Sequence, residues 1–197
     1  MYLPRKTFFR ENPAPVLNKI PPHKRIVIDH NEHGLEGTYS CIYQDHKSDL
    51  VDSLTTLLPQ LEKYKRLVLV APLEAFHAQD LIAGFEAFSK EHKKNHKIIH
   101  QVQPDSFKKG DAYITFSRYD QDDVDIIKLC REKNWKLGED IGLISYNDTA
   151  VKEVLEEGIT VISTDFRKMG EEAANAILNE TAVTLRDPAT VIIRNSL

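Results

Sequence analysis

The chain has 197 residues, 41% of them hydrophobic, which is enough to bury a sizeable core and suits one large or two small lobes. Its 26 basic residues stand against 30 acidic ones, a net charge of -4, so it lacks the broad cationic surface that neutralising several phosphates requires. Apolar stretches such as Leu67 to Pro72 are strand-sized, far short of the roughly 20 residues that span a bilayer, and neither nucleic acid nor a membrane is expected as a direct partner of this segment.

Residues 1 to 24 carry Pro4, Pro13, Pro15, Pro21 and Pro22, each of which removes an amide donor, so long regular elements are not expected there. The first clear strand is Arg25 to Asp29, followed by a second apolar segment at Ser40 to Gln44. After Asp45, the leucines at 50, 54, 57, 58 and 61 recur at helical spacing, with Pro59 weakening the last turn. Leu67 to Ala71 reads as a buried strand, and Ala78 to Glu91 as a helix with Leu81, Phe85 and Phe88 on one face. Strands are then expected at Ile98 to Val102 and Ala112 to Phe116, and a helix through Val124, Ile127 and Cys130 ending near Gly138. Ile141, Leu143 and Ile144 supply a short buried strand from whose carboxyl end Tyr146, Asn147 and Asp148 project. Val161 to Asn179 adds a strand and a helix, with Thr164 as the expected N-cap, and Val191 to Arg194 a final strand. Because parallel neighbours need a crossover, this alternation predicts an α/β fold with helices on both faces of parallel sheet.

Several chemistries are unsupported. Neither Gly-x-Gly-x-x-Gly nor Gly-x-x-x-x-Gly-Lys-Ser/Thr occurs among the eight glycines, and Ser145 lacks the glycines of a hydrolase elbow, so no enzyme and no cofactor is expected. His92 and His96 are one helical turn apart, but Lys90, Lys93, Lys94 and Lys97 around them repel a cation, and a solvated helix end is the better reading. His30 and His33 lack further ligands, and Asp120, Asp122, Asp123 and Asp125 lack the glycine and distal glutamate of a calcium loop. Acid at a helix start explains the aspartates, and no metal site is expected. Cys41 and Cys130, far apart in sequence, read as buried thiols in a reducing compartment. No signal peptide is visible at the N-terminus, and a cytoplasmic location is favoured.

Two polar clusters, Tyr146-Asn147-Asp148 and Ser117-Arg118-Tyr119, follow strand carboxyl ends, where open α/β sheets bind small ligands. The bland alternative is an Asx turn at Asn147 or Asp148 and a helix cap at Ser117.

Around these clusters the sequence resembles the effector-binding domain of the LacI/GalR regulators, which have the periplasmic-binding-protein-like fold. The resemblance rests on Ile26 to Asp29, Asp45 before a helix, Ala71-Pro72-Leu73, Ala83-Gly84-Phe85, Leu137 to Asp148, Thr160 to Gly170 and the closing Val191 to Leu197. The Asn147-Asp148 variant and the ending Ile192 to Leu197 also resemble GntR-type regulators that carry the same domain behind a winged helix. The resemblance implies two lobes, discontinuous in sequence, that clasp a sugar or sugar-like metabolite and so change how an attached head sits on DNA. Position by position, it implies ligand contacts at Asp45, His77, Ser117, Asn147, Thr164 and Phe166. Where the family commonly has a ligand-gripping arginine, Leu81 stands, and Arg118 beside Ser117 is the candidate replacement cation.

The expected lobes are residues 1–64 with 163–183, and 65–162 with 184–197, the first lobe incomplete and the DNA-binding head absent. DNA is then a partner only through that head, and a homodimer is expected of the full-length protein. A sugar-binding protein of a transporter is the alternative with the same architecture.

Overall fold

The computed structural model describes residues 13–29, 31, 34–71, 78–116 and 121–197. In chain order its elements are α1 (Ala14–Leu17), β1 (Ile26–Asp29), β2 (Ser40–Tyr43), α2 (His46–Thr56), α3 (Leu58–Leu61), β3 (Arg66–Val70), α4 (Ala78–Glu91) and β4 (His96–Ile99). There follow β5 (Asp111–Thr115), α5 (Gln121–Lys133), β6 (Gly142–Tyr146), α6 (Ala150–Val154), β7 (Thr160–Ser163), α7 (Phe166–Leu178), β8 (Thr184–Arg186) and β9 (Thr190–Ile192). They divide into two compact units, a smaller one that ends at Asp45 and resumes over Thr164–Pro188, and a larger one of His46–Ser163 with Ala189–Leu197.

In the smaller unit β1, β2 and β8 form a parallel sheet with β2 in the centre. Ile26 and Ile42 from the sheet meet Met169 and Ala173 from α7, residues one helical turn apart and therefore on one face. The helix is capped by Asp165, whose carboxylate accepts the Lys168 amide at 2.9 Å. Thr164, the expected cap, is instead buried and donates its hydroxyl to Gln44 Oε1 at 2.6 Å. Either residue type caps helices, and Asp165 sits at the position whose side chain reaches the third helical amide.

The larger unit is a six-stranded sheet in the order β4-β3-β5-β6-β7-β9, parallel except for the antiparallel edge strand β9. Two-residue periodicity sorts the strand side chains between two cores. Leu67, Leu69, Ile114, Ile144 and Ile162 face Leu50, Leu54 and Leu57 of α2 and its extension, and Leu81, Phe85 and Phe88 of α4. Val68, Val70, Tyr113 and Leu143 face Ile126, Ile127 and Cys130 of α5. Helices thus cover both faces, which is why the strands read as continuous apolar runs. α2 and α4 approach closely at Gly84, where a Cβ would lie 2.6 Å from the Lys47 carbonyl oxygen.

The structure departs from the expected elements in several places. α2 and α3 pack on the sheet of the larger unit rather than with residues 1–45, and β8 stays with the smaller unit, so the division differs from the expected 1–64 with 163–183 and 65–162 with 184–197. β4 spans 96–99, two residues earlier than expected, because it is a half-exposed edge strand whose His96 and Lys97 interrupt the apolar pattern. β8 is exposed throughout and α6 is short, and both escaped the pattern. Among the described residues, no helix is long and apolar enough to cross a membrane.

Candidate functional site

Parallel strands end together, so the carboxyl ends of β3, β5, β6 and β7 bring distant residues to one edge of the larger sheet. At that edge Phe116, just past β5, lies against Tyr146 of β6 with ring centroids 3.7 Å apart. His46, the first residue of α2, meets both rings edge-on at 6.1 and 5.9 Å, and its Nδ1 is 3.4 Å from the Tyr146 hydroxyl. Phe116 is half-buried while Tyr146 and His46 are nearly closed off, so the cluster is packed from below and accessible at Phe116. Sequence reading missed His46 and Phe116. Their signal was available only as position, one beginning a helix and one ending a strand.

Asn147 follows directly in the left-handed region at φ 60, a conformation asparagine tolerates better than most residues. Its amide donates to Ile162 O at 2.8 Å. Its Oδ1 is shielded from bulk solvent and has no hydrogen-bond partner among the described residues. A buried acceptor of this kind calls for a donor, and a ligand hydroxyl is one.

Asp148, the neighbour, is already engaged. Its carboxylate takes both arms of the Arg194 guanidinium at 2.8 and 2.7 Å, and its amide donates to Ser163 Oγ at 3.0 Å. The Arg194 hydrogen bond holds the carboxyl below the usual aspartate range, against the opposing effect of partial burial. Asp148 also accepts the Thr149 amide at 3.0 Å, a bond one residue on and not the two-residue reach of an Asx turn.

Beneath the edge, on the α5 face, lies a polar network. Asp123 is 1% exposed and accepts from the hydroxyls of Thr115 and Ser145, the latter at 2.6 Å. Lys152 of α6 is 2% exposed, with its ammonium 3.8 Å from Asp123 and 3.0 Å from the carbonyl oxygens of both Tyr146 and Asn147. Asp123 lies in the first turn of α5, in keeping with acid at a helix start, and is buried.

In the smaller unit, Asp45 is half-buried after β2, and Thr164 is tied to Gln44, which also donates to Asp29. Phe166 opens α7 and is 54% exposed, free to offer an aromatic face. His77, Ser117 and Arg118 lie outside the described residues, as do His30 and His33. Leu81 is fully buried in the core between α4 and the sheet, so that position supplies packing rather than a ligand contact.

The remaining titratable pairs have structural partners. His92 lies 4.6 Å from the Phe88 ring and His96 meets Phe85 edge-on at 5.6 Å, while Lys90, Lys93, His96 and Lys97 are exposed, in keeping with the expected solvated helix end. Among the described residues no three His, Cys, Asp or Glu side chains converge as metal ligands. Cys41 and Cys130 are buried free thiols, as their spacing suggested.

No curated protein matches the chain in sequence. Among solved structures, the Lac repressor bound to ONPG in its repressed state matches at TM-score 0.66 and 17% identity, over 87% of this chain and 56% of that one. The Escherichia coli transcriptional repressor ascG matches at 0.67 and 16%, over 87% and 68%, and the regulator CelR in complex with cellobiose at 0.63 and 15%, over 87% and 58%. This chain thus spans little more than half of the Lac repressor chain that it matches, and identities this low establish a shared fold. Residues 62–197 match the periplasmic binding protein-like domain in sequence as well, over more than half of the chain. The chain belongs to that periplasmic-binding-protein-like family.

Proposed function

We infer that this chain is the sensing domain of a transcription regulator and binds a sugar or sugar-like metabolite at its strand ends. The observation that carries the reading is Asn147, which follows Tyr146 of the Phe116–Tyr146 aromatic pair and whose shielded Oδ1 has no hydrogen-bond partner among the described residues. Sugar hydroxyls give hydrogen bonds to such an acceptor, and the apolar face of a pyranose ring lies well on an aromatic side chain. Asp45, His77, Ser117, Arg118, Thr164 and Phe166 are the further proposed contacts.

In this reading the chain is not an enzyme and needs no cofactor. It works in the cytoplasm as part of a homodimer, and an attached DNA-binding domain, of GntR winged-helix type by the resemblance of the closing residues, carries operator binding. The ligand acts by binding two arrangements of the protein with different affinity, since equal affinity shifts no equilibrium. The names of the matched structures, which are repressors and regulators, favour this over a transporter's binding protein.

The test is a thermal-shift screen of neutral monosaccharides, disaccharides and their phosphates on the full-length protein. A ligand at 100 times its dissociation constant adds about 2.7 kcal/mol of stability. Asn147→Ala should weaken binding of the best hit by roughly 1 kcal/mol or more, as expected for one buried hydrogen bond. A hit unaffected by Asn147→Ala removes the site, and the absence of any hit across the panel removes the sugar.

A further inference from the structure

The buried lysine beneath the candidate site has no role yet. Consecutive carbonyl groups of an extended strand point to opposite sides, so one ammonium cannot ordinarily bond two in a row. Lys152 does so, with its Nζ 3.0 Å from Tyr146 O and 3.0 Å from Asn147 O. The chain accomplishes this by turning at Asn147, whose φ of 60 swings its carbonyl round toward the same point. The left-handed residue and the two-carbonyl grip are thus one feature seen from the backbone and from the side chain.

That grip is anchored. Lys152 extends from α6, which Thr149 caps, and its ammonium lies 3.8 Å from the Asp123 carboxylate. Asp123 is fixed in turn by the Ser145 hydroxyl at 2.6 Å and by Thr115. These four side chains come from β5, β6, α5 and α6, so the ammonium is located by the body of the sheet rather than by the loop that it holds. Hydrogen bonds from an ammonium are stronger than neutral ones, which suits the task of keeping a non-glycine residue in an unfavourable backbone region.

We propose that Lys152 is a positioning residue: seated on Asp123, it holds Asn147 in the left-handed turn and thereby fixes where the Asn147 side chain presents its Oδ1. The functional meaning rests on the reading of Asn147 as a ligand contact, while the mechanical claim stands without it. The bland alternative is that Lys152 and Asp123 form a buried ion pair that stabilises the core and nothing more.

Glycine at 147 separates the two. It adopts a positive φ at little cost, so a turn held by Lys152 loses its dependence on Lys152 once glycine is there, whereas a core ion pair keeps its full importance. The experiment is amide hydrogen exchange by NMR on the labelled full-length protein without ligand, for wild type, Lys152→Met, Asn147→Gly and the double variant. Lys152→Met should speed exchange of the Asp148 amide about tenfold or more, the loss expected for charge-assisted hydrogen bonds, with the amides of Leu69 and Ile114 unchanged. In the Asn147→Gly background the same replacement should change Asp148 exchange less than about threefold. An equal acceleration in both backgrounds, or none in either, overturns the proposal. Should Lys152→Met strand the Asp123 carboxylate and unfold the protein, Asp123→Asn/Lys152→Met removes both charges and is read by the same criterion. Because no ligand is used, failure here leaves sugar sensing untouched, and an empty sugar screen leaves this result standing.

Discussion

Replacing Asp148 with asparagine tests the division of roles at the β6 end most directly. Asp148 and Arg194 lie far apart in sequence, and their paired hydrogen bonds of 2.8 and 2.7 Å tie the segment after β9 to the loop after β6. Their side chains are 21% and 15% exposed, which places the pair between a surface bridge worth up to about 1 kcal/mol and a buried one whose rupture costs about 3–5 kcal/mol. Asparagine keeps the shape and loses the charge, and Arg194 retains the Ile159 carbonyl at 3.0 Å and Glu153 at 3.7 Å. The expected loss is therefore about 2 kcal/mol at pH 7, an approximate midpoint shift of 1 M urea for a slope near 2 kcal/mol per molar. Trp135, the only tryptophan in the sequence, stacks on Phe107 within the larger unit, and its fluorescence reports unfolding there. The pH dependence has a definite sign. Arg194 depresses the Asp148 carboxyl in the folded state, so the pair's stabilisation is whole above the unfolded-state value of about 3.9 and is lost as pH falls through the lower folded value. The difference between wild type and Asp148→Asn should shrink toward zero in acid. Equal stability at pH 7, or a gap that widens on acidification, would refute the assignment of Asp148 to the scaffold.

Gly84→Val should destabilise the larger unit by about 1–3 kcal/mol in urea denaturation, because the added Cβ alone would come within 2.6 Å of the Lys47 carbonyl. Phe85→Ala, at a fully buried ring in the α4 core, should cost about 3–5 kcal/mol by the same measurement. The Cys130 thiol, pushed up to about 12 by burial, should resist a thiol reagent at pH 8 in the folded protein and react at an ordinary rate in denaturant.

What could be read from the chain follows from how each element is buried. β3, β5 and β6 lie between helices on both faces, and their apolar runs announce them without any knowledge of their partners. The edge strands β4 and β8 carry His96, Lys97, Thr184 and Arg186, and nothing in such a sequence separates a strand from a loop. The leucines of α2 and α3 show that these helices have a buried side, but not which sheet it meets, which is why the division between the units was misplaced. Leu81 illustrates the reverse case. As a departure from a family pattern it suggested a missing ligand contact, and in the structure it is an ordinary member of the core.

The candidate site shows the same limit at higher resolution. Asn147 and Asp148 are adjacent, polar and equally at home in turns, and no local rule separates them. What separates them is distant. Arg194 claims Asp148, while Lys152 reaches inward to the Asn147 carbonyl and leaves the side chain alone. Among the described residues, Arg194 at this end of β6 is thus occupied by a carboxylate and Lys152 by backbone oxygens, while Asn147 Oδ1 is shielded and has no hydrogen-bond partner. In the proposed reading, the shielded neutral acceptor at Asn147 suits a ligand hydroxyl as its donor, whereas the Asp148 carboxylate next to it is already satisfied by Arg194.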